Sequence, residues 1–295
     1  MSKLHYFNIT YLCDSNCLFC AANIGLIDHS TYTMTAENFE QNLLKSNVQP
    51  GDRVMISGGE PTLSPYFWSI LDICEKYNCC IDLTTNGHFF SDINNTKQLS
   101  TYSSVVVRIP LFGIGEYHDY LTGGIGNYKK TMQAISNFSQ VISPSTMIVN
   151  VKFLLCKATT QSNQEVYRKL YAQYGDIFEY TLSPILVSKK AIMYADVVLA
   201  PYSELIKECQ EFIEQKNINC DIIPLCLLSE SKISDFIKRK KVSFDKSYAD
   251  SQLQYETMEN YHDNACEICK LKNYCDKFLP SYIDYFGTGE IRPFI

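Results

Sequence analysis

Three cysteines lie close together near the start of the chain, at Cys13, Cys17 and Cys20, directly after the apolar run from Tyr6 to Leu12. Their spacing is Cys-x3-Cys-x2-Cys. Three thiolates can bind three irons of a four-iron cluster and leave the fourth iron open to a substrate or cofactor, whereas a site with four cysteines is closed. The spacing therefore favours a reactive iron-sulfur centre that follows a strand. A zinc knuckle that takes a distant fourth ligand is the alternative.

A second motif lies about forty residues downstream, in the stretch from Val54 to Thr62. It has the pattern of a buried strand that runs into a glycine turn. Gly58 and Gly59 would let a ligand approach the backbone closely, and Glu60 would supply a carboxylate or a carbonyl at the same edge. In a barrel of parallel strands this motif and the cysteine loop would both lie at the C-terminal face, where active sites assemble.

Taken in this order and at this distance, the two motifs resemble those of radical S-adenosylmethionine (SAM) enzymes. The resemblance implies a SAM-binding 4Fe-4S cluster held by Cys13, Cys17 and Cys20. It also implies two sets of cofactor contacts, an aromatic ring beside the adenine and a turn that holds the methionine amino group. The residues at these positions are Phe19 for the adenine and Gly58, Gly59 and Glu60 for the amino group.

The same resemblance implies the chemistry. In this family an electron from the reduced cluster splits SAM to a 5'-deoxyadenosyl radical, which abstracts hydrogen from an unactivated carbon of the substrate. The cofactor carries this step, while the protein supplies orientation and excludes water. A flavodoxin- or ferredoxin-type electron donor is the implied redox partner.

Strand and helix patterns alternate through the first two hundred or so residues, which predicts an α/β fold with a parallel sheet. The predicted strands are His5 to Leu12, Arg53 to Ser57, Cys80 to Thr84, Ser104 to Pro110, Met147 to Leu155 and Ile177 to Leu182. The predicted helices are Ala36 to Lys45, Pro65 to Tyr77, Tyr128 to Phe138, Asn163 to Tyr174 and Tyr202 to Gln215, with Ser91 to Tyr102 ambiguous. Six strands match the partial (β/α)6 barrel of TIM type that the family resemblance implies. We expect this barrel over residues 1–218 and a small C-terminal iron-sulfur domain over 219–295.

Further candidate site residues follow the predicted strands. Thr85 and Asn86 end the third strand at an edge that faces the cofactor in radical SAM proteins, although Asn-Gly also predicts a plain turn. Arg108 could meet a carboxylate inside the barrel, Lys152 could be a polar group of the site, and Cys156 could donate hydrogen. The alternatives are a solvated arginine, an outward lysine and a buried thiol.

One loop supplies a weaker pair of candidates. His118 and Asp119 follow the fourth strand in a polar stretch. A His-Asp pair in such a loop is usually a local hydrogen bond.

Cysteine returns at the C-terminal end, in a pattern that resembles the SPASM and twitch extensions of radical SAM enzymes. A full SPASM domain carries about seven cysteines and two auxiliary clusters, so we expect one auxiliary 4Fe-4S cluster here, with structural zinc as the alternative. The four thiolates available for it are Cys226, Cys266, Cys269 and Cys275. The aromatic and Gly-x2-Glu ending that follows comprises Tyr282, Tyr285, Gly287 and Glu290.

Composition narrows the class of partner. A net charge of -6 provides no general field for nucleic acid, so we expect no nucleic-acid substrate. The local exception is the basic segment from Lys238 to Lys241, which is either a solvated surface or a dock for an acidic peptide segment. Neither a signal peptide nor an apolar run of membrane length is visible, and oxygen-sensitive clusters need reduced thiols. We therefore expect a cytoplasmic protein without a membrane partner.

Three classes of function remain. The first is a radical SAM maturase acting on a short, ribosomally made peptide precursor, which SPASM-like extensions favour. The second is a radical SAM enzyme that oxidises or rearranges a small metabolite. The third, a non-catalytic iron-sulfur or zinc protein, is disfavoured by the intact turn from Gly58 to Glu60. Because the first predicted strand begins close to Met1, a separate peptide-recognition protein is a further possible partner.

Overall fold

The computed structural model describes residues 3–26, 32–239, 245–247 and 264–295. Its centre is a parallel sheet in the order β7-β6-β5-β4-β3-β2-β1-β8. The strands are β1 Lys3–Thr10, β2 Arg53–Gly58, β3 Cys80–Thr84, β4 Val105–Pro110, β5 Met147–Leu155, β6 Glu179–Pro184, β7 Ile218–Cys220 and β8 Asp245–Ser247. Each strand from β1 to β6 pairs with the next one along the chain, as in an open partial barrel. The α/β fold with a partial barrel is therefore confirmed.

Helices connect the strands and extend the chain beyond them. They are α1 Ala36–Lys45, α2 Phe67–Lys76, α3 Ile93–Leu99, α4 Glu116–Thr122, α5 Asn127–Val141, α6 Thr160–Tyr174, α7 Lys189–Met193, α8 Ala195–Val198, α9 Tyr202–Glu208, α10 Gln210–Ile213, α11 Glu230–Arg239, α12 Asn264–Glu267 and α13 Pro280–Phe286. Helix α1 shows why these segments are helical. The Thr35 hydroxyl accepts a hydrogen bond from the Asn38 N–H at its start, while Phe39 and Leu43, one turn apart, are buried.

All six predicted strands are present, and two further short strands, β7 and β8, join the edges of the sheet. The expected domain boundary after residue 218 falls inside β7, which pairs with β6. The single helix predicted from Tyr202 to Gln215 is instead two short helices that meet at Cys209. The ambiguous segment after Ser91 contains α3, which Asp92 caps by accepting from the Asn94 N–H.

Alternate residues of the central strands face opposite sides of the sheet. One side is apolar, and it includes Val107 of β4, Val151 of β5 and Phe138 of α5 in a single core cluster. The opposite side carries polar residues, among them Arg108 and Lys152. Because the apolar side packs against helices such as α5, the polar side forms the inner surface of the partial barrel.

The C-terminal segment packs against the barrel-forming part of the chain. The ring of Tyr282 stacks on that of Tyr202, with centroids 3.8 Å apart. The Glu290 carboxylate accepts hydrogen bonds from the N–H groups of Tyr202 (3.1 Å) and Ser203 (2.8 Å) at the start of α9. Among the described helices, none combines the length and apolar composition that a membrane crossing requires.

Candidate active site

The glycine turn after β2 lies directly against the backbone that leads into the cysteine loop. The N–H of Gly59 donates to Thr10 O at 2.8 Å, and that of Glu60 donates to Leu12 O at 2.7 Å. Gly58 has φ +135°, and a Cβ there would stand 2.1 Å from Thr10 O. At Gly59 a Cβ would stand 2.3 Å from Leu12 O. In this structure, these two glycines therefore allow the protein's own backbone, at the end of β1 and just before the cysteine loop, to come close to the turn.

Glu60 ties the end of β2 to the end of β3. Its side chain is 2 % exposed and accepts hydrogen bonds from Thr62 Oγ1 (2.6 Å), Thr85 Oγ1 (2.8 Å) and the Asn86 N–H (2.7 Å). Burial raises the pKa of Glu60, and these hydrogen bonds offset only part of the rise. The structure therefore brings three predicted site residues, Glu60, Thr85 and Asn86, into direct contact.

Asn86 extends this network to the cysteine loop. Its side-chain amide donates to Asp14 Oδ1 at 2.6 Å, and the other oxygen of Asp14 lies 2.8 Å from His88 Nδ1. Burial raises the pKa of Asp14, but the hydrogen bond and charge of His88 outweigh it and hold that pKa below its usual value. Sequence reasoning missed Asp14 and His88. Asp14 could have been identified from the sequence, because it is a carboxylate that lies between two of the cysteines of the loop.

The three thiols of the cysteine loop lie within electrostatic range of one another. Burial raises the pKa of Cys13 to about 12, with further contributions from Glu60, Asp14 and Cys20. Burial also raises the pKa of Cys17, and the neighbouring Cys20 and Cys13 add to it. A metal favours the deprotonated thiolate and reverses such shifts.

The arrangement of these donors bears on the kind of metal group that they could hold. In the part of the chain that the structure describes, no three His, Cys, Asp or Glu side chains converge on the position of a single ion. The thiolates of a four-iron cluster each bind a different iron and do not converge in this way. Three thiols on one loop, Cys13, Cys17 and Cys20, are the donor chemistry that a four-iron cluster takes.

Phe19 packs within an aromatic group behind the loop. Its ring meets Phe112 edge-on, with centroids 4.7 Å apart, and Phe112 stacks on His118. The Phe112 N–H donates to Nδ1 of His118 at 3.2 Å, so this nitrogen is an acceptor. Burial lowers the pKa of His118 to about 4, which keeps its ring neutral. Asp119 accepts from the N–H groups of Gly126 and Tyr128, as expected of a residue that braces a loop.

Arg108 lies on the polar side of the sheet, but its guanidinium is engaged in an ion pair. Its Nε and Nη2 donate to the two oxygens of the buried Asp82 on β3, at 2.6 Å and 2.8 Å. Burial alone would lower the pKa of Arg108, but these contacts with Asp82 raise it. This bidentate ion pair indicates a structural role, and sequence reasoning missed Asp82 because its partner lies on another strand.

Lys152 and Cys156 differ in what they can reach. Lys152 is half-buried, and among the described residues its side-chain ammonium makes no hydrogen bond or ion pair; burial lowers its pKa and the charge of Asp221 opposes this. Cys156 is fully buried, with its sulfur 3.4 Å from Thr159 Oγ1. Burial raises the pKa of Cys156, so its thiol stays protonated. Of the two side chains, only that of Lys152 is thus partly accessible.

The four C-terminal cysteines surround one cavity, whose other walls are mainly apolar, with Phe278 and Phe294 among them. These cysteines are Cys226, Cys266, Cys269 and Cys275. The sulfur of Cys275 accepts two backbone hydrogen bonds, from the N–H groups of Leu225 and Lys277, both at 3.3 Å. Such N–H donors to sulfur are a common feature around metal-bound thiolates.

The basic segment from Lys238 to Lys241 lies largely outside the described residues. Only the end of α11 is described, where Lys238 is exposed. Its expected role as a peptide dock stays a prediction.

Comparison with known proteins agrees with this geometry. Two curated relatives are mycofactocin maturase MftC of Mycobacterium tuberculosis, 28% identical over 133 residues, and sporulation killing factor maturation protein SkfB of Bacillus subtilis, 23% identical over 143 residues. The matches cover 44% and 48% of this chain, and 33% and 34% of the two relatives. The matched part of this chain thus spans about a third of the length of the curated relatives.

Two solved structures share the fold over nearly the whole chain. One is native anSMEcpe with bound AdoMet and Cp18Cys peptide, with a TM-score of 0.67, 16% identity, and coverage of 99% of this chain and 92% of that one. The other is Streptococcus suis SuiB bound to S-adenosylmethionine, with a TM-score of 0.64, 14% identity, and coverage of 99% and 76%. Residues 7–154, which are 148 of the 295 residues, match the family model described as the Radical SAM superfamily. They include the second half of β1, β2 to β4, most of β5, the cysteine loop and the glycine turn, and the chain therefore belongs to the radical SAM superfamily.

Proposed function

We propose that this protein is a radical SAM enzyme that matures a ribosomally made peptide. The observation that carries the enzymatic part is the single hydrogen-bonded network that joins Asp14 of the cysteine loop, Glu60 of the glycine turn and Asn86 after β3. It holds three segments of the chain together at the C-terminal edge of the sheet, where parallel α/β folds bind ligands.

Each residue has a distinct part in this proposal. Cys13, Cys17 and Cys20 would hold a 4Fe-4S cluster, which together with SAM supplies a 5'-deoxyadenosyl radical for hydrogen abstraction. Glu60 fixes the Thr85 hydroxyl and the Asn86 backbone, so the cofactor meets a preorganised edge. Phe19 and the turn at Gly58 and Gly59 complete the proposed cofactor contacts, and Lys152 is proposed to contact the substrate.

The peptide substrate is supported by the relatives. MftC and SkfB are both named as maturation proteins, and another solved SuiB structure is bound to the precursor peptide SuiA, with a TM-score of 0.58 and 16% identity. The second candidate, radical chemistry on a small metabolite, shares the same cofactor site and is separated from the first by the substrate alone. An electron donor of the flavodoxin or ferredoxin class is proposed for either.

We also propose that residues 219–295 form a SPASM- or twitch-like extension that binds an auxiliary 4Fe-4S cluster. Its support is the shared cavity of Cys226, Cys266, Cys269 and Cys275 together with the N–H donors to Cys275. Structural zinc is the alternative occupant of the same cavity.

The test is anaerobic reconstitution followed by assay with dithionite, SAM and candidate precursor peptides. The parent should bind about eight irons and release 5'-deoxyadenosine. Cys20→Ala should lose about half the iron and all SAM cleavage, whereas Cys269→Ala should lose a similar amount of iron and keep the cleavage that occurs without substrate. Cys80→Ser, at a half-buried cysteine outside both sets, is the matched control and should keep both.

Three results would contradict parts of the proposal. A verified, reduced cluster that forms no 5'-deoxyadenosine would remove the radical SAM activity. Iron near four with stoichiometric zinc would replace the auxiliary cluster. Turnover of a free metabolite with no peptide present would favour the second candidate.

A further inference from the structure

A buried lysine that sequence reasoning did not single out contacts the cysteine loop from a distant part of the chain. Lys190 belongs to α7, after β6, and is 3 % exposed. Its ammonium donates to the side-chain oxygen of Asn16 and, at 2.6 Å, to Ile24 O. These two acceptors lie on either side of Cys17 and Cys20 in the sequence, so one cation bridges the two ends of the loop.

Other contacts hold the same two segments together. The Lys190 N–H donates to Asn23 Oδ1 at 2.9 Å, and the Ser188 hydroxyl donates to Cys20 O at 3.0 Å. A Cβ at Gly25 would lie 2.7 Å from the same Asn16 Oδ1, so the loop is closely packed around this amide. The position of Lys190 is therefore set by several contacts and not by one flexible ammonium.

The buried charge of Lys190 has no carboxylate partner among the described residues. Both of its recorded acceptors are neutral, an amide and a carbonyl, and within the described residues no carboxylate forms an ion pair with it. A buried cation that neutral groups alone satisfy is costly, and a nearby anion offsets the cost. Asn16 directly precedes Cys17 in the sequence, so the ammonium that it accepts from lies beside the thiol-bearing loop.

We propose that Lys190 is a positioning residue of the cysteine loop, which shapes the loop between Asn16 and Ile24 and raises the reduction potential of the cluster held there. This inference rests on the proposed function. Reduction adds one negative charge to the cluster, and a fixed, buried positive charge beside its thiolates stabilises the reduced state more than the oxidised state.

The test is an anaerobic redox titration of the reconstituted protein, followed through the electron paramagnetic resonance signal that added SAM perturbs. In Lys190→Met, the ratio of reduced to oxidised cluster at a fixed potential should fall about tenfold, or about 59 mV for a one-electron couple. Lys189→Met, at the exposed neighbour in the same helix, is the matched control and should leave the titration unchanged. Lys190→Arg keeps the charge and should titrate close to the parent.

Two further results decide the case where Lys190→Met fails to hold iron. Lys190→Gln keeps a donor but not the charge, and a more negative potential in that variant supports the proposal. Loss of iron in Lys190→Met and Lys190→Gln with retention in Lys190→Arg also supports it.

The opposite results overturn the proposal. An unshifted titration in a charge-free variant of Lys190 that retains its iron, or equal shifts in Lys189→Met, would do so. Loss of iron in Lys190→Arg as well would show that packing, and not charge, matters at this position. A parent protein without any SAM-sensitive signal would instead count against the proposed function.

Discussion

Replacing Gly58 with Ala should destabilise the protein strongly and separate the glycine turn from the cysteine loop. The added Cβ would lie 2.1 Å from Thr10 O and 3.2 Å from Thr10 C, at a residue whose φ is +135°. These neighbours are backbone atoms of β1, which no side-chain rotation can clear. The end of β2 must therefore move away from the end of β1.

Two contributions set the expected magnitude. A side chain forced into the sparsely populated backbone region at φ +135° costs about 1–3 kcal/mol. Movement of β2 also breaks the hydrogen bonds from Gly59 to Thr10 and from Glu60 to Leu12, at about 1 kcal/mol each. We expect Gly58→Ala to lower the free energy of unfolding by about 4 kcal/mol, a large part of the stability of a typical domain.

The assay is urea denaturation of the reduced apoprotein, followed by circular dichroism, with SAM binding measured separately on the reconstituted protein. Gly51→Ala is the matched control, because Gly51 also has a positive φ, +87°, but a Cβ there would meet nothing within 4 Å. It should cost only the conformational part, about 1–2 kcal/mol, and leave SAM binding intact. Equal destabilisation by the two substitutions would refute the reasoning from close backbone approach.

Three other substitutions, one of them with a control variant, test separate parts of the molecule. Because burial lowers the pKa of His118 from 6.5 to about 4, the unfolded chain binds a proton that the folded chain rejects, and stability should fall by up to about 3 kcal/mol as the pH drops through this window. His118→Gln should flatten that part of the pH dependence in urea denaturation, and an unchanged slope would contradict the assignment. Asp82→Asn should destabilise the protein by about 3 kcal/mol, since it leaves the Arg108 guanidinium without its buried carboxylate; Lys76→Met, in an exposed ion pair, should change stability little. Asn86→Ala should weaken SAM binding about tenfold in equilibrium dialysis, whereas undiminished affinity would show that this link is dispensable.

Much of the fold could be predicted because its determinants are local. The period of apolar residues in a strand or helix reports which face is buried, and all six strands predicted from it are present. The short strand β7 was missed because three residues carry too little periodicity to identify, and it is recognised only by its pairing with β6. The break at Cys209 was missed for a similar reason, since the apolar pattern continues through both α9 and α10.

The candidate site was predictable only in part. The cysteine spacing and the glycine turn predicted that the two motifs lie at one edge of the sheet, because both follow strands and strand ends share one edge in a parallel barrel, and the structure brings them together there. The partners of these residues were not predictable. Arg108 was assigned a possible catalytic role, and its bidentate pairing with Asp82 depends on the register of two strands brought together by a crossover.

By itself, the sequence determined the alternating α/β pattern, the cysteine spacing and the family to which both belong. These are properties of residue type and interval, which do not change when the chain folds. The tertiary structure alone decided which polar groups meet across the barrel, as Asn86 meets Asp14 and Lys190 meets Asn16. The physical reason is that a hydrogen bond or an ion pair requires contact within a few ångströms, and contacts between residues far apart in the chain are set by strand register and loop packing, which no local pattern encodes.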